Sequence, residues 1–127
     1  MYVFRAKKEE DPDPTQNGFQ AADVNSTQGL QYHIKYGSKP FKKPTRFVST
    51  SKNIRAMNKY TVGEKGDNKT RSKVYLIDLP DDNSIPYYDF TDENTIKKYL
   101  TIKDTRNWVK ADSEVTVEPR RKRHTSR

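Results

Sequence analysis

Apolar residues come in short bursts separated by long polar stretches, and the spacing within each burst sets the element it predicts. Residues 2–6 (Tyr-Val-Phe-Arg-Ala) read as a first strand. Residues 46–50 (Arg-Phe-Val-Ser-Thr) read as another, with Pro40 and Pro44 keeping helix out upstream. Ser51 is then placed to cap a helix over 51–60, in which Ile54, Met57 and, beyond it, Val62 mark one apolar stripe. The stretch 24–36 fits two templates. Asn25 or Ser26 can cap a helix carrying Leu30, His33 and Ile34, whereas Tyr32, Ile34 and Tyr36 alternate as on a strand; helix is the expectation. An acidic, proline-broken loop fills 7–17, and 63–72 is a polar, glycine-containing connection.

The near-continuous apolar run at 73–79 is the clearest strand in the chain and predicts a central, buried position. A short strand at 87–90 follows. Asp92 or Asn94 then starts a helix with Ile96, Tyr99 and Leu100 on one face. Trp108 and Val109 fall in or near the connection to a last strand over 114–117, which Pro119 stops. Helices fall between strands without an internal repeat, so the class is α+β.

Composition adds limits. A chain of 127 residues suits one domain, expected over 1–118, followed by a basic tail over 119–127 that has no apolar side chain and is expected to be disordered. Only 31% of residues are hydrophobic, so the eight tyrosines and five phenylalanines must supply much of the core. The net charge of +8 is uneven: without the five basic residues of the tail, 20 basic face 17 acidic residues. The Arg-Arg-Lys-Arg run at 120–123 reads as a nuclear-import signal, a polyanion-binding arm or a solubilising end. No cysteine is present, which rules out a disulfide framework and suits a reducing compartment, the cytoplasm or nucleus of a producing or target cell. His33 and His124 lie far apart, so a histidine-based zinc site, triad or acid/base pair is not expected. No apolar run is long enough to span a bilayer, and residues 1–5 do not read as a signal peptide.

Three places carry candidate chemistry. Arg5 lies near the end of the first strand. Ser49-Thr50-Ser51 sits where a strand meets a helix, a position where hydroxyls and backbone N–H groups converge. Asp112-Ser113-Glu114 opens the last strand. In this order and context the chain resembles the mono-ADP-ribosyltransferases of the arginine–serine–glutamate class, the cholera-toxin-like family. That family carries an arginine on its first strand, Ser-Thr-Ser on a later strand, and a paired acidic motif that runs into Glu-Val, aliphatics and proline. Residues 112–119 (Asp-Ser-Glu-Val-Thr-Val-Glu-Pro) are similar to the last motif, and Gly18-Phe19 matches a glycine–aromatic pair after the arginine. The resemblance runs from residue 2 to residue 119. It implies a small, mixed, mostly antiparallel split sheet with short helices. It also implies transfer of ADP-ribose from NAD to a macromolecular acceptor, protein side chain or nucleic acid, with release of nicotinamide, as in toxin or effector domains.

By the same resemblance Arg5, Ala6, Ser49, Thr50, Ser51 and Glu114 would hold NAD. Catalysis would fall to Glu114, Asp112, Arg5 and Ser49, and Trp108 and Asp112 would meet the acceptor. The chemistry asks for such groups. Loss of nicotinamide develops positive charge on the ribose, much as in glycoside hydrolysis. A carboxylate held against that ribose stabilises it, the role implied for Glu114. Arg5 would clamp a phosphate or ribose oxygen with its permanently charged fork. Ser49 would fix the ribose or support Glu114, while Thr50 and Ser51 hold the strand. Asp112, two residues before Glu114, is expected on the same strand face. It stands where arginine-modifying members usually carry glutamate, which leaves the acceptor open. The competing classes are an inactive relative and a nucleic-acid-binding module built on Lys42, Lys43, Arg46, Arg55, Lys59, Lys69, Arg71 and the tail, with tyrosines as stacking surfaces.

Overall fold

The computed structural model describes residues 1–7, 13–36, 39, 43–58 and 73–119. Five strands form: β1 (Tyr2–Ala6), β2 (Val48–Ser51), β3 (Val74–Asp78), β4 (Tyr87–Asp89) and β5 (Glu114–Val117). The helices are α1 (Pro14–Asn17), α2 (Leu30–Tyr36), α3 (Glu93–Tyr99) and α4 (Lys103–Asp112), with a 3₁₀ turn over Ile54–Met57. The strands make one sheet in the order β3-β1-β2-β5-β4. Every pairing is antiparallel, so the described strands do not form the mixed sheet that was expected.

Alternation along the strands sorts the two faces. Val115 and Val117 of β5 join Val3 and Leu79 in one core, flanked by Met1, Ile77, Ile85 and Tyr87. Helices α2, α3 and α4 cover the other face, where Phe90, Ile96, Leu100 and Val109 pack with Leu30, Ile34 and Tyr88. Glu114 and Thr116 alternate with the two valines and therefore point to this helix-covered face.

Residues 74–78 are a strand, but an edge one. β3 pairs with β1 alone among the described strands, and Leu76 is 60% exposed. The alternating exposure along β3 shows that Val74 and Leu76, on its outward side, are apolar without being covered, a case in which composition does not report burial. The helix expected from Ser51 also differs. β2 runs through Ser51, and Asn53 caps the 3₁₀ turn by accepting from the Arg55 N–H. Ser51 is still in β2, two residues before that cap, and its hydroxyl accepts from the Asn53 N–H and donates to the Asp112 carbonyl. The rest of that expected helix, with Tyr60 and Val62, lies outside the described residues, as does the tail over 120–127.

The expected helix within 24–36 is α2, and the loop expected over 7–17 contains the single turn of α1. Asp92 starts α3 by accepting from the Asn94 N–H. The start of α4 has no local side-chain cap. Gln31 of α2 serves instead, its Oε1 accepting from the N–H groups of Thr101 and Ile102 at 2.7 and 2.9 Å. The far end of α4 turns on Ser113, held in the left-handed region at φ 49°, and the chain enters β5 at the next residue. Among the described residues, no helix is long and apolar enough to cross a membrane.

Candidate functional site

The site grows from the register of two strands. In the β2–β5 ladder Ser49 stands opposite Thr116 and Ser51 opposite Glu114, and directly opposed residues of an antiparallel pair share a face. Four polar side chains thus occupy one patch on the helix-covered face. Three of the four are buried, with Glu114 8% exposed and Ser51 and Thr116 enclosed, and Ser49 is half-buried.

A carboxylate in such surroundings loses most of its hydration. Burial pushes the Glu114 carboxyl up to about 7, and the nearby Asp112 charge adds to the rise. Hydrogen bonds from the Thr116 and Ser49 hydroxyls work the other way, as does the positive charge of Arg5. The Thr116 hydroxyl donates to Glu114 Oε2 at 2.8 Å.

Ser49 connects this carboxyl to a residue that sequence reasoning set aside. His33 of α2 is buried, with Nε2 2.8 Å from Ser49 Oγ and Nδ1 2.6 Å from Thr45 Oγ1. One assignment satisfies every member when Glu114 is ionised: Thr45 donates to Nδ1, Nε2–H donates to Ser49, and Ser49 donates to the carboxylate. The imidazole ring also packs on Phe47, with ring centroids 5.6 Å apart. Thr45, His33, Ser49 and Glu114 therefore form one chain of hydrogen-bonding groups from the base of α2 to the carboxyl. The signal in the sequence was faint: His33 takes the inner position between Leu30 and Ile34 on a short helix, where an apolar residue is the ordinary occupant.

Arg5 joins the patch from an unexpected side. A single partner pair, Phe4 opposite Ser51, links β1 to β2. Phe4 therefore shares the face of Ser51, and Arg5 leaves β1 on the opposite face, that of Val3. Where the ladder stops, the Arg5 guanidinium takes the place of a missing backbone donor, with Nη1 2.9 Å from the Ser49 carbonyl oxygen. It also lies 5.1 Å from the centre of the Phe19 ring, which packs edge-on against Tyr75. Gly18 makes this approach possible, because at φ 70° and ψ −176° it holds a backbone shape that other residues rarely adopt. Arg5 thus braces the strand that carries Ser49, and its positive charge works against the rise at Glu114.

The other predicted residues divide. Asp112 does not open the last strand; it is the final residue of α4, and Ser113 turns the chain between it and Glu114. The same-face argument from strand alternation therefore fails for Asp112, although its charge is felt at Glu114. Helix formers and the buried positions Thr105 and Val109 carry α4 to the edge of the site, which a strand reading of 112–114 overlooked. For the same reason Trp108 is on α4 rather than in a loop, 45% exposed and one turn before Asp112. Ser51 ties β2 to the end of α4 through the Asp112 carbonyl. Thr50 faces the other side of the sheet, where its hydroxyl donates to the Val115 carbonyl at 2.6 Å. Ala6 is buried at the end of β1 and offers only its backbone.

Among the described residues, no group of three or more His, Cys, Asp or Glu side chains is placed to hold a metal ion. The arrangement offers a buried carboxyl poised near neutrality, a serine hydroxyl shared between it and a histidine, and a second carboxylate at its rim. Such a set suits stabilising a cation or moving a proton. No family model matches the chain, and no curated protein or solved structure is significantly similar to it.

Proposed function

We propose that the chain cleaves NAD at the bond between nicotinamide and ribose and transfers ADP-ribose to a macromolecular acceptor. The observation that carries this reading is Glu114: a carboxyl buried at a strand start, touched by the Ser49 hydroxyl and within the field of Arg5. The order Arg5, Ser49-Thr50-Ser51, Glu114 along the chain supports it further.

NAD fits as the substrate on chemical grounds. Its nicotinamide ring is a cation, and the ribose carbon it leaves becomes electron-poor. Both favour the ionised form of a neighbouring carboxyl that burial has made reluctant to ionise. In the transition state the pair of electrons of the glycosidic bond moves to the ring nitrogen, nicotinamide departs neutral, and Glu114 faces the positive ribose. Ser49 holds the carboxylate in place by one hydrogen bond and is itself held by His33. Arg5 keeps β2 in register through the Ser49 carbonyl and favours the charged form of Glu114, a role carried by its observed contacts rather than by a phosphate clamp. The acceptor then bonds to the same ribose carbon and loses its proton. Asp112, half-buried at the end of α4, orients that nucleophile or takes the proton in this reading. Trp108, one helical turn away on α4, offers a flat apolar surface to the acceptor.

The test is incubation of the protein with NAD labelled in its adenylate half and a cell lysate. The expected result is free nicotinamide together with label in the protein or nucleic-acid fraction. Neither product in the presence of folded protein ends the proposal.

A further inference from the structure

The charges of the chain are segregated: every charged residue between Asp23 and Glu64 is basic. The described part of this stretch contains α2, β2 and the 3₁₀ turn. Two of its cations are committed, Arg46 to Glu118 at 3.2 Å and Lys52 to Asp89 at 2.6 Å. Lys35, Lys39 and Lys43 gather instead around the outer side of α2. That helix turns Leu30, His33 and Ile34 inward and leaves Tyr32, Lys35 and Tyr36 on its other side. The Tyr32 and Tyr36 rings lie 4.9 Å apart, and Lys35 Nζ sits 5.1 Å from the centre of the Tyr36 ring. The Tyr32 hydroxyl accepts from the Lys43 N–H at 2.9 Å, which sets Lys43 beside the Tyr32 ring. Lys39 and Lys43 are exposed there.

We infer that this tyrosine–lysine face of α2 is a binding surface for single-stranded nucleic acid. The lysines supply the positive track that a phosphate backbone follows, and the paired tyrosines supply ring faces on which unpaired bases stack. An acidic protein segment would use the lysines but has no need of adjacent aromatic rings, so the pairing favours nucleic acid. The surface does not depend on the NAD reading. Where both hold, the same helix that carries His33 to the catalytic patch on its inner side brings nucleic acid to the outer one, and nucleic acid is the acceptor.

The test measures binding of the full chain to a labelled single-stranded oligonucleotide of about 12 nucleotides, across a salt series. Replacing Lys35, Lys39 and Lys43 together by Gln is expected to weaken binding at least about tenfold and to reduce the slope of log K against log salt by about 2. Tyr36→Ala is expected to weaken binding roughly tenfold, and Tyr36→Phe to leave it near the wild-type value. Should Tyr36→Ala fail to fold, Tyr36→Leu keeps the apolar bulk without the ring face. A triple change of equal charge elsewhere, Lys97, Lys98 and Lys103 to Gln, is expected to matter little. Equal losses from both lysine triples, or no loss when the Tyr36 ring is removed, would mean diffuse attraction and overturn the proposal. Heparin, which has no bases, competing as well as the oligonucleotide would overturn it too. Nicotinamide release without acceptor is read on the same samples: its absence sinks the NAD reading alone, and unchanged oligonucleotide binding by the α2 variants sinks only this one.

Discussion

Glu114→Gln should make the protein more stable at alkaline pH while removing its chemistry. In the folded state burial raises the carboxyl to about 7 from an ordinary 4.5, so between those values the folded chain holds a proton that the unfolded chain has lost. Stability carried by the protonated carboxyl is therefore fully present below about 4.5 and is lost as pH rises through about 7. The span of the shift corresponds to about 3 kcal/mol. Glutamine has the same shape, can accept from Thr116 and meet Ser49, and has no proton to lose. The assay is urea unfolding of both proteins at a series of pH values from 4.5 to 8. Titration of every other group is shared, so it largely cancels in the difference. That difference should move in favour of the variant by about 3 kcal/mol across the series. A difference that stays flat would mean that Glu114 ionises as readily in the fold as in the unfolded chain, and the argument from burial would fail.

Other expectations concern the neighbours of this carboxyl. The value of kcat/KM for nicotinamide release should rise with pH to a plateau, with its midpoint near 7 in the wild type. Asp112→Asn removes a charge that raises the Glu114 carboxyl, so the midpoint should move down, and label transfer to the acceptor should fall more than hydrolysis by water. His33→Phe keeps a ring beside Phe47 but leaves Thr45 and Ser49 without the imidazole. It should cost about 1–3 kcal/mol in urea unfolding and slow nicotinamide release at saturating NAD. Removal of residues 120–127 takes five positive charges and no apolar side chain. Nicotinamide release should be unchanged, and retention on a polyanion column should drop.

What could be read from the sequence follows from how local each feature is. The β-favouring Phe47 and Val48 marked a strand over 46–50 and Glu114-Val115-Thr116-Val117 marked another, and antiparallel pairing of the observed β2 and β5 sets Ser49 and Ser51 against Thr116 and Glu114. The helix within 24–36 and that started by Asp92 were legible from spacing and capping. Sheet order was not, because the apolar run at β3 says nothing about which strands flank it, and it lies at an edge. The acidic motif was read as continuous strand. The chain instead changes from helix to strand at Ser113, a left-handed position that residue type does not betray. His33 was invisible as a partner of Ser49, since a contact between a helix and a strand 16 residues away is tertiary and leaves no periodic trace. Arg5 was expected to share a cleft with Glu114, yet alternation places it on the other face. Only the end of the β1–β2 ladder lets its guanidinium act on Ser49.

The central claim is that Glu114 acts on a ribose cation formed from NAD. It is met most directly by measuring nicotinamide release and NAD binding for the wild type and Glu114→Gln, side by side at pH 8. The account predicts release by the wild type, a rate roughly a hundredfold or more lower in the variant, and similar affinity for NAD, because the lost charge matters chiefly in the transition state. Equal rates of release from the two folded proteins, or no binding of NAD by either, would contradict it.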